Sequence, residues 1–302
     1  MTRLVVLGLG YTARYYVAHG AKRWDTIAAT VRDGASAAAL TGEGLGGRGV
    51  EVMPFDGAGA SERLRAAIRD ATALLVSIPP AGSDDPVLRV LGDTLAEARR
   101  LRCVVYLSTV GVYGDRDGAW VDETATPQPA SARSRARAEA ERAWLAYGAR
   151  QNVPVALLRL AGIYGPGRSA LDSLAEGTAK RIVKPGQVFN RIHVADIAQA
   201  IDAAFARAAS GPFNLCDDEP APPQDVVAYA ARLMGMTPPP EVTFEAARAT
   251  LPPMALSFYG ENKRVGNARL KRELGVTLRY PSYREGLAAL AADRTVSRAG
   301  AK

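Results

Sequence analysis

Two cysteines, Cys103 and Cys216, are all that the 302 residues contain, and they lie far apart in apolar, strand-like runs. No cysteine pair has metal-ligand spacing, so neither a metal site nor a disulfide framework is expected, and a reduced, cytoplasmic compartment fits best. No apolar run approaches the ~20 residues of a membrane span. The first residues turn glycine-rich by Gly8, without a hydrophobic leader core and cleavage site. Lysine is scarce too, with six lysines against 32 arginines. The net charge of +7 invites a nucleic-acid reading. The arginines, however, alternate with Ala and Glu, as across 133–141 and 245–248, which is the pattern of solvated helix faces rather than of a phosphate-tracking arm. No specific nucleic-acid partner and no membrane are therefore expected.

With 48% hydrophobic and 23% charged residues, the composition excludes disorder, collagen and coiled coil. Short runs at 4–7, 26–31, 50–55, 73–78, 104–108 and 155–158 are mostly apolar on both faces, as strands of a covered parallel sheet must be. Helical stretches at 12–19, 35–40, 61–71, 86–101 and 131–151 alternate with them. This rhythm predicts an α/β fold with a doubly wound parallel sheet. After Gly165 prolines break the chain into shorter pieces, although a helix at 194–209 and a strand at 212–215 return to the sheet. The expected organisation is a dinucleotide-binding domain over 1–165 that regains 192–218. A smaller, interleaved substrate lobe takes 166–191 and 219–294, and 295–302 forms a flexible tail.

The first strand-like run leads into Gly8-Leu9-Gly10-Tyr11-Thr12-Ala13 and then a helix. Glycines in such a turn admit a pyrophosphate close to the backbone, and the free amides of the following helix stabilise its charge. The loop from Gly8 and Gly10 through Tyr11, Thr12 and Ala13 is thus the candidate dinucleotide cradle. The next strand ends Thr30-Val31-Arg32-Asp33. Arg32 stands where an acidic residue would hold the ribose of NAD, and with the Thr30 hydroxyl it suits the 2′-phosphate of NADP. Asp33 next to it is the alternative, in the ribose role. Asp56 is a candidate partner for the adenine amino group, or a turn residue.

Further segments carry a resemblance over nearly the whole chain. They are Leu107-Ser108-Thr109-Val110-Gly111-Val112-Tyr113-Gly114, Leu158-Arg159-Leu160-Ala161-Gly162-Ile163-Tyr164-Gly165-Pro166-Gly167, Arg191-Ile192-His193-Val194-Ala195-Asp196 and the closing 280–287. Together with the glycine loop they resemble the extended short-chain dehydrogenase/reductases, the NAD(P)-dependent epimerase/dehydratase group. The resemblance implies a Rossmann sheet with a substrate lobe and a nicotinamide cofactor. It places Ser77, Ile78, Pro79, Ser108, Ala161 and Ile163 along the cofactor and puts the Thr109 hydroxyl on the reacting oxygen of the substrate. It also implies a Tyr-x-x-x-Lys acid/base pair on the helix at 131–151, which here has neither residue in place. Arg133 and Arg137 occupy the two positions, with Ser131 and Arg135 as the other register. Arginine stays protonated and cannot serve as an ordinary proton relay. Either arginine could hold the cofactor ribose or stabilise developing negative charge, or all could merely solvate the helix.

Tyr113, Tyr164 and His193 are the remaining candidates for proton transfer by position, and His193 alone titrates in the neutral range. With Arg191 and Arg264 they are the expected substrate contacts, with Arg168 a further possible anion contact and Lys263 expected to be exposed. The reading is an NAD(P)-dependent oxidoreductase or epimerase/dehydratase-like enzyme for a small anionic or sugar-like substrate, with a non-standard active site and NADP preferred to NAD. The alternative is a catalytically silent NADP-binding redox sensor or scaffold. A homodimer through the helices at 86–101 and 131–151 is what the resemblance implies for assembly.

Overall fold

The computed structural model describes residues 1–299 other than 44, 48 and 83. In chain order the first part consists of β1 (Arg3–Leu7), α1 (Tyr11–His19), β2 (Thr26–Val31), α2 (Gly34–Glu43), β3 (Glu51–Pro54), α3 (Glu62–Arg69), β4 (Ala73–Val76), α4 (Pro86–Ala96), β5 (Cys103–Thr109), a 3-10 turn (Val110–Tyr113), β6 (Trp120–Val121), α5 (Ala132–Gln151) and β7 (Val155–Leu160). The rest consists of β8 (Gly162–Tyr164), α6 (Ala170–Ala175), β9 (Arg181–Val183), β10 (Arg191–His193), α7 (Val194–Ala206), β11 (Gly211–Leu215), α8 (Pro223–Leu233), β12 (Glu241–Thr243), α9 (Phe244–Ala247), α10 (Pro253–Tyr259), β13 (Arg264–Val265), α11 (Ala268–Leu274) and α12 (Tyr283–Ala299).

Seven strands form one parallel sheet in the order β11-β7-β5-β4-β1-β2-β3. The pleat of β1 explains its unbroken apolar run. Leu4 and Val6 point into one core with α1 and α7, whereas Val5 and Leu7 point into another with α3, α4 and α5. Helices thus cover both faces, and the chain reverses direction of winding at β1, whose two neighbours are β2 and β4. The crevice beyond the carboxyl ends of β1 and β4 is the topological switch point at which such sheets bind ligands.

Most elements agree with the sequence expectations within a few residues. The helix expected over 86–101 stops at Ala96, because the backbone tightens there into three-residue turns: Glu97 N to Thr94 O, Ala98 N to Leu95 O and Leu101 N to Ala98 O. The proline-rich second half is more regular than its texture suggests. Three small parallel pairs, β8–β10, β9–β12 and β6–β13, hold the second lobe and lash it to the first. Helix α12 runs 17 residues to Ala299, into the stretch expected to fray, while 300–302 lie outside the described residues. A separate core of Leu171, Leu174, Val226, Ala230, Tyr283 and Leu287 joins α6, α8 and α12.

Candidate functional site

The two glycines after β1 have different physical requirements. Gly8 has φ +94°, and a Cβ there would meet Ile78 Cγ1 at 2.8 Å and the Ile78 amide nitrogen at 3.0 Å, so backbone conformation and the adjoining loop both demand glycine. That loop is fixed by Ser77 N and Ile78 N, which donate to Leu7 O at 2.8 and 3.2 Å. A Cβ on Gly10, by contrast, would meet nothing within 4 Å. Gly10 opens α1 without a side-chain cap, so first-turn amides of the helix face that open space. A bare backbone at a switch point, facing space that a side chain would fill, fits a dinucleotide pyrophosphate. Ala13 is fully buried where α1 packs on the sheet. The Tyr11 hydroxyl donates to Pro166 O at 3.1 Å and ties the glycine loop to the loop after β8, and burial pushes this phenol up to about 12.

At the adenosine end the structure separates the candidates. Thr30 does not face a phosphate: it is fully buried, and its hydroxyl oxygen accepts the Gly8 amide at 2.9 Å. Its position inside the sheet makes it a brace for the loop. Asp33 caps α2, with its two oxygens accepting from Ser36 N at 2.8 Å and Ser36 Oγ at 2.9 Å. Arg32 is exposed and, among the described residues, its guanidinium has no partner. The exposed Asp56 closes a turn through one oxygen, which accepts the Ala58 amide at 2.8 Å and holds the carboxyl below its ordinary range.

Thr109 ends β5, half-buried, and its oxygen accepts the Gly111 amide at 3.1 Å, which leaves the hydroxyl hydrogen to donate. Across Gly111 stands Ser134, which the sequence reading passed over. A Cβ on Gly111 would lie 3.1 Å from Ser134 Oγ and 3.3 Å from Thr109 Oγ1, so the two hydroxyls converge on a bare Cα. Ser131 caps α5 by accepting Ser134 N at 3.1 Å and donates to Ser134 Oγ at 2.9 Å. Arg133 and Arg135 are exposed. Arg137 is half-buried, with Nη1 donating to Tyr106 OH at 3.0 Å and Leu107 O at 2.8 Å beside Thr109. Of the two arginines in the Tyr and Lys positions, Arg137 is the one held in place. Ala161 is buried, its amide donating to Leu215 O at 3.0 Å, and Ile163 is half-buried in β8.

Ser108 and Tyr113 prove to be structural. Both belong to a buried network around the ion pair Glu141–Arg159, in which the side chains are 4% and 6% exposed. Arg159 Nη2 lies 2.7 Å from Glu141 Oε2, Ser108 Oγ donates to Glu141 Oε1 at 2.6 Å, and Arg159 Nη1 donates to the Tyr113 hydroxyl at 2.9 Å. The Tyr113 hydroxyl in turn donates to Asn214 Oδ1 at 2.8 Å. Burial raises the Tyr113 phenol above its ordinary value, and neither hydroxyl is available to substrate or cofactor.

In the second lobe, Arg264 donates to Gly118 O and so holds a turn rather than a substrate. Lys263, expected to be exposed, is buried, with Nζ on Gly114 O at 2.6 Å and paired with Glu261. Tyr164 is buried, its hydroxyl donating to Ser282 O at 3.3 Å. His193 caps α7: Nδ1 accepts the Ala195 amide at 3.1 Å, and the ring packs between Tyr164 and Tyr280. Burial and the nearby Arg279 push it down to about 4, so it is neutral at physiological pH and not a proton carrier for a neutral-pH reaction. The neutral ring favours the fold fully above pH ~6.5, the unfolded value. As pH falls from ~6.5 towards 4 the unfolded chain takes up the proton first, and about 1–3 kcal/mol of stability is lost. His193→Asn puts a capping oxygen in place of Nδ1, without this titration. Urea unfolding from pH 7 to pH 4 should therefore show a smaller loss for the variant, and an equal loss would refute the assignment. Arg191 and Tyr164 of these candidates line a cavity.

Residues 88–216 match the model of the NAD dependent epimerase/dehydratase family. Protein YeeZ of Escherichia coli K12 is 30% identical over 295 residues, which cover 93% of this chain and 97% of YeeZ. A 3-diazoavenalumate denitrifying reductase from Streptomyces is 31% identical over 145 residues, 43% of this chain and 45% of the reductase. The solved structure of a functionally unknown conserved protein from Silicibacter pomeroyi is 48% identical and superposes with a TM-score of 0.84, covering 97% of this chain and 99% of that one.

Proposed function

This chain belongs to the NAD-dependent epimerase/dehydratase family, and from that premise we propose that it is an NADP-dependent oxidoreductase for a small anionic substrate. The observation that carries the cofactor is the open space over Gly10 at the switch point of the sheet, two residues after Gly8, which packs against the Ser77–Ile78 loop. Gly8, Gly10 and the first amides of α1 would hold the pyrophosphate, and Asp56 would use its unengaged oxygen for the adenine amino group. Arg32 supports NADP over NAD: it is exposed and unpaired among the described residues, while the acidic alternative, Asp33, is engaged in capping α2. When bound, the nicotinamide would supply or accept a hydride.

The protein's part at the reacting end is polarisation. Thr109 donates its hydrogen bond to the substrate oxygen, and Ser134, oriented by Ser131, presents a second hydroxyl from the other side of Gly111. Arg137, fixed on Leu107 O and Tyr106 OH, reaches towards the cofactor ribose or a developing negative charge. Hydroxyls and guanidiniums do not exchange protons readily at neutral pH, so the proton that completes reduction comes from water. This set favours reduction of an electrophile over the reversible proton traffic of an epimerase. The relative named as a reductase of an acid anion supports the same direction.

Calorimetric titration with NADPH, NADP, NADH and NAD tests the reading. NADPH is expected to bind most tightly, and Arg32→Ala to weaken it by about tenfold to a hundredfold, the worth of a charge-assisted pair, with NADH unchanged. Equal loss for both reduced cofactors would place Arg32 outside the 2′-phosphate site.

A further inference from the structure

A cavity of about 300 Å³ lies within the second lobe, between α6, α8 and α12 and against β10. Its walls are mainly apolar or aromatic, with Tyr164, Val226, Tyr283 and Leu287 among them, and two cations line it, Arg191 and Lys180. Lys180 is exposed, at the rim. Arg191 is held rigidly, since Nη1 donates to Phe189 O at 2.9 Å and Ala221 O at 3.1 Å. The guanidinium lies over the Phe189 ring, and among the described residues its Nε and Nη2 have no hydrogen-bond partner and no carboxylate stands within ion-pair distance of it.

The nearby carboxyl that acts on Arg191 is Asp217, which forms no salt bridge with it among the described residues. Asp217 is 2% exposed, one oxygen accepts the Glu219 amide at 3.3 Å, and the other has no partner. Burial pushes this acid up to about 8, so it is largely protonated at neutral pH. The lobe therefore holds a half-buried, oriented guanidinium that lines the cavity with two nitrogen donors that no protein group engages among the described residues. The free Nε and Nη2 edge of such a guanidinium matches the two oxygens of a carboxylate.

The size of the cavity narrows the ligand. Small-molecule sites run from roughly 300 to 1,000 Å³, and this one is at the lower limit. It accommodates a carboxylate on one aromatic ring or a branched chain, whereas a nucleotide sugar is several times bulkier and would bring polar rings against Val226 and Leu287. We propose that this cavity binds a compact, apolar organic carboxylate, seated on Arg191 with Lys180 at the entrance. The inference rests on the functional reading above only in taking this carboxylate to be the anionic end of the substrate.

The test is calorimetric titration of the full chain with cinnamate, inorganic phosphate and UDP-glucose, each with and without saturating NADPH. Cinnamate is expected to bind in both conditions, phosphate at least tenfold more weakly, and UDP-glucose not at all. Arg191→Gln should weaken cinnamate at least tenfold. Ala179→Phe, which fills the cavity and leaves the guanidinium in place, should do the same, and both variants should retain NADPH affinity and thermal midpoint. If Arg191→Gln does not fold, the cavity-filling variant decides. The proposal is overturned if cinnamate fails to bind, if it binds both variants like the parent, or if UDP-glucose binds and depends on Arg191. Loss of NADPH binding to the parent chain with cinnamate binding intact would instead remove the cofactor reading and leave the cavity assignment standing.

Discussion

Glu141→Leu is expected to destabilise the folded chain by about 3–5 kcal/mol, the effect of stranding a buried charge. The carboxylate receives Arg159 Nε at 3.0 and 3.2 Å, Arg159 Nη2 at 2.7 Å and Ser108 Oγ at 2.6 Å. Removing it leaves a guanidinium 6% exposed between α5 and β7 with, among the described residues, the Tyr113 hydroxyl and ring as its remaining partners. Lost Coulomb attraction is the smaller part of the effect; the larger part is a cation that can neither be hydrated nor shed its proton. The double variant Glu141→Leu with Arg159→Met should accordingly be more stable than Glu141→Leu alone, because apolar atoms then replace both charges. Urea unfolding of the two variants measures this directly. A single variant within about 1 kcal/mol of the parent would show that water reaches Arg159 and that the pair is not an enclosed one.

This pair also shows where sequence reasoning stops. The sheet was legible because burial on both faces writes itself as unbroken apolar runs, and the glycine loop because a tight turn and a close ligand both need bare backbone. Arg159 interrupts such a run within Leu157-Leu158-Arg159-Leu160, and Glu141 follows Arg137 by four residues on α5, so both halves of the pair were visible. What could not be read is that they meet: 18 residues separate them, and α5 must cross β7 to join them. The same holds for Ser134 and Thr109, which converge over Gly111 only once α5 docks on the end of β5. Thr30, Ser108, Tyr113, His193 and Arg264 were expected at ligand because they neighbour the loops that carry function. The structure gives each of them a nearby backbone or side-chain partner to hold instead. Polar residues at strand ends must satisfy buried donors and acceptors before they can serve a ligand, and sequence position alone does not separate the two demands.

Gly10→Val is expected to abolish dinucleotide binding, weakening NADPH at least a hundredfold, while leaving stability nearly unchanged. The backbone at Gly10 lies at φ −82° and ψ −171°, which any residue adopts, and a Cβ there meets no protein atom within 4 Å. The fold therefore does not require glycine at this position. A ligand that approaches the first turn of α1 does, because branched carbons would occupy the space where pyrophosphate oxygens must come within hydrogen-bond distance of the amides. Gly8→Ala is the control with the opposite character: its φ of +94° and its contact of 2.8 Å with Ile78 predict a loss of stability along with binding. Thermal unfolding and NADPH titration of the two variants separate a glycine kept for the fold from one kept for the ligand. If Gly10→Val bound NADPH as tightly as the parent chain, the open space over the loop would not be the seat of the cofactor, and Arg32 and Asp56 would lose their roles with it.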